Sequence, residues 1–574
     1  MPLAMVDAPV AGRNHLPHDL DTSAWQAIEP LCIELRDRTL PDAAHLWQWL
    51  RDVSELEAAM SEAMGRRYIA MNCDTRDAAA SEAFNHFLTE VEPRLATYYD
   101  AFNRKLVGSP HVASLTGPDH AVMLRSVHKQ INLFREANIP LFTQLQQDQQ
   151  QYGTITGALT IEHNGTAITL QRAALLLKDK DRAVREQAFR KVAASRMSVA
   201  DQLNTLLDGL IDLRQQVAAN CGFADFRDYS FVSMGRFDYT VEDCFTFHES
   251  IRTECVPLQC SIDLERKERL GLDTLRPWDT DVDVSGRATV RPFADVDDLT
   301  ERSIRLFTSI RPKYGEWMAT MHRMGHLDLG SRIGKAPGGF QYPLYETGVP
   351  FIFMNAVGTV RDLITMIHEG GHAVHSFLSR DLELTAYKSL TSEVAELASM
   401  SIELFSFDHW HHFYADEADA RVAKREHLAK VLSVLTWVAV VDRFQHWLYT
   451  HKGHSTTERN AAWMQMLGEF STGVVDHSGF ENERAYQWQR QLHIYEVPFY
   501  YIEYAMAQLG AIALWRDYRN DPEATLDRYE AALALGYTRP IGEIYRTAGI
   551  RFDFSRGHVQ ELMAFVLTEY DRLN

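Results

Sequence analysis

His368-Glu369-Gly370-Gly371-His372 sets two imidazoles four residues apart, with a carboxylate beside the first. Side chains four apart on a helix share one face, one turn above the other. Two such imidazoles can hold one Zn²⁺, and Glu369 can reach a water on that metal without ligating it. The chemistry on offer is hydrolysis, in which a cation acidifies water and a carboxylate takes its proton.

Zinc in a hydrolase usually has three protein ligands. The stretch Ser389 to Phe405 reads as a further helix, and Glu393, Glu396, Met400 and Glu403 fall on one of its faces. Acidic residues on an otherwise apolar helix are costly to bury unless paired or bound to metal. One of these glutamates is the expected third ligand, and spacing alone does not separate Glu393 from Glu396.

A third group lies further along, in His493-Ile-Tyr-Glu-Val-Pro-Phe-Tyr-Tyr-Ile-Glu-Tyr. Tyr501 and Tyr504 are three apart, on one helical face, with Tyr500 adjacent. Phenol O–H groups aimed at a developing oxyanion would stabilise it, and His493 is a nearby proton donor. An aromatic cluster of this kind also serves as ordinary core.

These groups need a scaffold. Thr359 and Asp362 form a capping-box pattern ahead of the histidine pair, with Asp in place of the usual Glu. Leu363, Ile364, Ile367, Val374 and Leu378 have helical spacing. Gly370 and Gly371 each cost roughly 1 kcal/mol relative to Ala inside a helix. Something must therefore approach the backbone there, either another helix or a substrate. Just upstream, Phe351-Ile-Phe-Met-Asn reads as a strand, either in the core or offering an edge to an extended peptide. The turn-rich Ile333 to Pro343 stretch before it lacks the Gly-Lys-Ser/Thr of a phosphate loop.

The rest of the chain reads as helical. Residues 1–20 look like a disordered arm. Apolar residues repeat at three and four through Asp42 to Leu56, Ala78 to Leu106 and Val122 to Gln150. Between Ile155 and Leu170 the residues are β-branched around Asn164-Gly165, a strong hairpin signal. Helix resumes at Asp181 and runs through much of the stretch to Leu270. Residues 276–292 read as an internal loop, followed by helix from Asp297 to Tyr314. The expected division is an arm at 1–20, an N-terminal helical region at 21–185 and a catalytic region at 186–574.

A net charge of −20 argues against a nucleic-acid partner. No apolar run is long enough to span a membrane, and the first residues lack the charged-then-apolar order of a signal peptide. The six cysteines show no C-x-x-C pairing, which favours thiols in a reducing cytoplasm.

His-Glu-Gly-Gly-His-Ala-Val-His resembles the zinc signature of the M3 metallopeptidases. So do Pro350-Phe-Ile-Phe-Met-Asn-Ala-Val-Gly-Thr, Ser392-Glu-Val-Ala-Glu-Leu-Ala-Ser-Met and Glu496-Val-Pro-Phe-Tyr-Tyr-Ile-Glu-Tyr-Ala. The wording is nearest the oligoendopeptidase F branch, although the His-to-Tyr spacing differs from the thimet-type pattern. The resemblance implies a mainly α, elongated zincin body with a deep channel that admits short peptides. It implies one Zn²⁺ per chain on His368, His372 and Glu396, with Glu403 behind them. It implies Glu369 as general base, and Tyr501, Tyr504 and His493 as the C-terminal catalytic group. The implied activity is cleavage of internal bonds in short peptides by a cytoplasmic monomer or homodimer. A zinc carboxypeptidase and a non-catalytic helical peptide binder are the competing readings.

Overall fold

The computed structural model describes residues 12–284 and 291–574. Helices dominate, joined by short loops, as the three-and-four apolar spacing predicts. Five strands occur among the described residues: β1 Thr160–His163, β2 Thr166–Thr169, β3 Leu327–Gly330, β4 Phe340–Tyr342 and β5 Phe351–Ala356. The chain forms two compact units, each assembled from three stretches. The first comprises Met1–Glu136, Arg291–Ala420 and Ala507–Phe552, and the second Ala137–Val290, Arg421–Met506 and Asp553–Asn574.

In the first unit, β5 is the central strand of three, parallel to β3 and antiparallel to β4. Phe351 through Met354 are buried, which explains the unbroken apolar run. Both edges of β5 are therefore paired. The alternative that this strand offers a free edge to a peptide does not hold. Gly358, at φ 97°, makes the turn out of β5 that a side chain would disfavour. The Val360–Ser379 helix begins directly after it.

The expected arm needs correction over its described part. Backbone amides of Asn14, His15 and Leu16 all donate to the Glu55 carboxylate, and Arg13 pairs with Glu346. Leu16 is buried. This segment is thus anchored at residues 13–16, because a carboxylate accepts its otherwise unpaired amides. Residues 1–11 of the expected arm lie outside the described residues. A core of Trp25, Ile28, Trp49, Leu56, Leu95 and Phe102 lies beyond this anchor. Each such side chain contributes roughly 1.5–3 kcal/mol by burial.

In the second unit, β1 and β2 form the expected hairpin. Asn164 and Gly165 sit at φ 51° and 76°, the turn geometry that Asn-Gly favours. The hairpin is shorter than expected, because Ile155 to Gly157 finish the Ile139–Gly157 helix. The single helix expected from Val122 to Gln150 is two, Pro118–Leu133 and Ile139–Gly157. Pro140 stands in the first turn of the second helix, where its missing N–H costs nothing. The loop expected at residues 276–292 contains a 3₁₀ turn at Pro277–Asp279, and its residues 285–290 lie outside the described residues. Asp279 in that turn is fully buried between Arg182 and Arg185, at 2.7 and 2.8 Å.

None of the six cysteines is in a disulfide. No described helix is long and apolar enough to cross a membrane.

Candidate metal centre

The Val360–Ser379 helix opens with the expected box. Thr359 Oγ accepts from the Asp362 amide at 3.2 Å, and the Asp362 carboxylate accepts from Thr359 and Val357 amides. The shorter Asp side chain closes the box as Glu would. One face of this helix packs Leu363, Met366, Ile367, Val374 and Phe377 into the first unit's core. Its most extensive neighbour is the Ser392–Phe405 helix.

The two glycines have separate explanations, and both are packing. A Cβ on Gly371 would stand 2.5 Å from the Cα of Ser399, so the two helix backbones touch there. A Cβ on Gly370 would collide with the ring of Phe307 from the Val296–Ile310 helix. Close helix contact, one of the two readings left open, accounts for both.

That contact brings the downstream helix against the histidines. His368 Nε2 and His372 Nε2 lie 3.4 and 3.8 Å from Glu396 Oε2. One ligand atom from each of the three falls within 4.8 Å of the others. Tetrahedral zinc with bonds near 2.0–2.1 Å wants its donors about 3.3 Å apart. The set therefore fits a zinc-sized ion with small side-chain adjustment. Glu393 is buried but is not among these three, and its backbone carbonyl accepts from the Tyr545 hydroxyl at 3.4 Å. His375, one turn past His372, lies outside the cluster, and burial pulls its pKa down to about 3.

Glu403 accepts from His368 Nδ1 at 2.6 Å. Burial opposes charge on His368, but hydrogen bonds to Glu396 and Glu403 outweigh it and hold the imidazole well above its ordinary value. His372 goes the other way, down to about 4, because burial dominates there. Burial pushes the Glu369 carboxyl up to about 7, opposed by the nearby His368 and by a hydrogen bond from the Gln341 backbone. A buried carboxyl with a pKa near neutrality can both take and return a proton. Gln341 belongs to β4, and nothing in its sequence position marked it as a neighbour of Glu369.

His493, Tyr501 and Tyr504 form one cluster in the second unit. Ring centroids of His493 lie 4.6 Å from Tyr501 and 5.6 Å from Tyr504, and the two tyrosines are 5.6 Å apart. Tyr500 packs on Tyr504 at 5.3 Å. Burial pushes Tyr501 up to about 12, which keeps its hydroxyl protonated. His493 Nδ1 is held by Gln491 at 2.6 Å, and Gln491 accepts from the Trp437 indole.

A buried device fixes the chain just ahead of these tyrosines. Phe499 is fully buried with φ 71°, a left-handed conformation that a bulky residue rarely adopts. Gln445 accepts its amide at 2.8 Å, and Arg236 donates to its carbonyl. Arg236 also pairs with Glu503 at 3.0 Å, with both side chains buried. Backbone strain of this kind persists only where the surroundings over-determine it.

Two histidines and one carboxylate converging within a predominantly helical chain are the side-chain set expected of a helical metallohydrolase. The profile of peptidase family M3 matches residues 175–564, and that of the peptidase M3 N-terminal domain matches residues 22–134. The chain belongs to peptidase family M3. It is 25% identical over 229 residues to oligopeptidase PepF of Bacillus subtilis, covering 39% of this chain. It is 22% identical over 286 residues to an oligoendopeptidase F homolog of Lactococcus lactis, covering 50% of this chain. These matches span 33% and 47% of the relatives' own lengths. The solved structure of PZ peptidase A with an inhibitor superposes with TM-score 0.89 at 25% identity, over 98% of both chains.

Proposed function

We propose that this chain is a zinc-dependent oligoendopeptidase, cleaving internal bonds of short peptides. The convergence of His368, His372 and Glu396, with the buried Glu369 carboxyl beside them, carries the reading. Family membership and the oligopeptidase relatives support the substrate class.

His368, His372 and Glu396 are the residues that would hold the ion. When bound there, a zinc-class ion supplies Lewis-acid polarisation and acidifies water. Glu369 takes the proton of the attacking water and returns it to the leaving amine, a role worth about 10²–10⁴-fold. Glu403 fixes the His368 ring by holding Nδ1. Tyr501 and Tyr504 donate O–H groups to the oxyanion that develops on the scissile carbonyl, and His493 keeps them placed and can donate in turn. Thiols outside disulfides favour a cytoplasmic setting. In linear sequence, the division at 21–185 and 186–574 separates the N-terminal helices from the region that carries all of these groups.

Glu369→Gln tests the reading on an internally quenched peptide. The expected result is loss of turnover by 10²-fold or more with metal content unchanged. Wild-type turnover in the variant sinks the assignment of the base. Mass spectra of the digests separate the activities, since stepwise loss of single terminal residues points to a carboxypeptidase.

A further inference from the structure

A second cluster of metal-binding side chains lies in the second unit, apart from the residues used above. The Val241–Arg269 helix carries Cys244 and His248, and the Glu417–Thr450 helix carries Asp442 and His446. Each pair is four residues apart, so each presents its two groups on one helix face. The two faces meet. His248 Nε2 lies 2.9 Å from Asp442 Oδ2, and His446 Nε2 lies 3.3 Å from the same oxygen. Ligand atoms of Cys244, Asp442 and His446 fall within 4.8 Å of one another. All four side chains are buried.

An ion-pair network explains only part of this. It uses Asp442 Oδ2, His248 Nε2 and, at longer range, His446 Nε2. Asp442 Oδ1 and His446 Nδ1 are buried and have no hydrogen-bond partner, and His446 Nε2 has only its 3.3 Å approach to Asp442 Oδ2. Leaving such atoms unsatisfied in the interior is costly. A cation among them would satisfy the carboxylate oxygen and one imidazole nitrogen together.

We propose that Cys244, Asp442 and His446 form a second metal site, selective for a borderline-soft divalent cation of the zinc class. Thiolate, imidazole and carboxylate are the donor types that zinc takes, and hard cations such as Mg²⁺ avoid sulfur. His248 is a positioning residue here. It holds Asp442 Oδ2 and leaves Oδ1 to the metal, the usual arrangement behind a ligating carboxylate. Donor spacing must tighten by about 1 Å to match zinc bonds of about 2.0–2.3 Å. A cavity of about 400 Å³ reaches His248 and His446 and gives a route inward. Arg227 and Arg443 also line it and oppose a cation, but each is paired with a carboxylate, Asp228 at 2.9 Å and Glu469 at 2.7 Å. Cys244 and Asp442 supply the negative charge from behind the imidazoles. The bound ion would tie the two helices together.

The test uses the full chain produced in zinc-depleted medium supplemented with Co²⁺. The centre at His368 has no sulfur donor, so a near-ultraviolet sulfur-to-cobalt charge-transfer band reports this second site alone. Expected are that band and two Co²⁺ per chain in the wild type. His372→Ala should reduce the count to one while the band remains. Cys244→Ser should abolish the band. If Cys244→Ser does not fold, Asp442→Asn replaces it, and the band should then vanish on dialysis against a chelator that leaves the wild-type band intact. No band in the wild-type protein overturns the proposal, as does a band of unchanged intensity in Cys244→Ser or a chelator-resistant band in Asp442→Asn. A band with one Co²⁺ per chain leaves the second site standing and counts against the first.

Discussion

Nδ1 of His368 lies 2.6 Å from Oε1 of Glu403, linking the Val360–Ser379 helix to the Ser392–Phe405 helix two turns beyond Glu396. A carboxylate accepts only, so this contact places a proton on Nδ1. Nε2, which faces Glu396 at 3.4 Å, is left as the nitrogen that would ligate an ion in the proposed centre.

Removing that orienting carboxylate should weaken the centre without destroying it. Glu403→Ala is expected to lower metal affinity by about 10–100-fold, the usual effect of deleting a partner behind a ligating histidine. Glu403→Gln, which keeps an acceptor oxygen, should lose less. Competition with a chromogenic chelator measures both. Equal affinity in wild type and Glu403→Ala would show that the ring is held by packing alone.

Asp279 should make the second unit acid-sensitive. Burial disfavours its charge, but hydrogen bonds from Arg182 and Arg185 outweigh that and hold its pKa below the ordinary carboxylate value. Arg276 adds a backbone amide at 3.0 Å. A depressed folded pKa means that the stabilisation is complete above the unfolded value of about 3.9 and is lost as pH falls through the folded value. Asp279→Asn strands the buried Arg185 and should cost on the order of 3–5 kcal/mol at pH 7. Urea unfolding from pH 7 downward should show the gap between wild type and variant closing only below about pH 4. A gap that stays constant through that range would mean that the carboxylate's charge contributes nothing.

How much was legible depended on how local the signal was. Thr359 and Asp362 are three residues apart, and so are the Glu393 and Glu396 alternatives, hence the capped helix and the short list of third ligands could be read directly. Spacing alone left Glu393 and Glu396 open, and the family resemblance pointed to Glu396; which turn of the second helix meets the first is a property of the fold, set by the Gly371–Ser399 contact. The apolar run at Phe351 marks a strand, but its two paired edges come from residues 327–330 and 340–342, whose own patterns are too short to announce strands. Pro140 was a local signal for the helix break. The Arg236–Glu503 pair was not legible, since its members are 267 positions apart and each resembles an ordinary surface charge in sequence. The same holds for Cys244-x-x-x-His248 and Asp442-x-x-x-His446. The spacing is plain within each helix, but the pairing, across 194 positions between His248 and Asp442, is a property of the fold.

Glycines in two helices should respond to alanine with opposite signs. Gly209, in the Ala200–Asn220 helix, is exposed, and an added Cβ would meet nothing within 4 Å. Gly209→Ala should therefore gain about 0.5–1 kcal/mol from helix propensity and reduced unfolded-state entropy. Gly371→Ala receives the same propensity gain, but its Cβ would stand 2.5 Å from the Ser399 Cα. A backbone atom cannot rotate away, so the two helices must separate, at a cost of about 1–3 kcal/mol or more. Overpacking wins, and the variant should be net destabilised. The separation also carries Glu396, three residues before Ser399, away from the histidines, so metal affinity should fall with stability. Thermal unfolding and chelator competition on the two variants check the pair. A Gly371→Ala protein as stable as Gly209→Ala, with wild-type metal affinity, would show that the helices yield at no cost and that their contact does not position the third ligand.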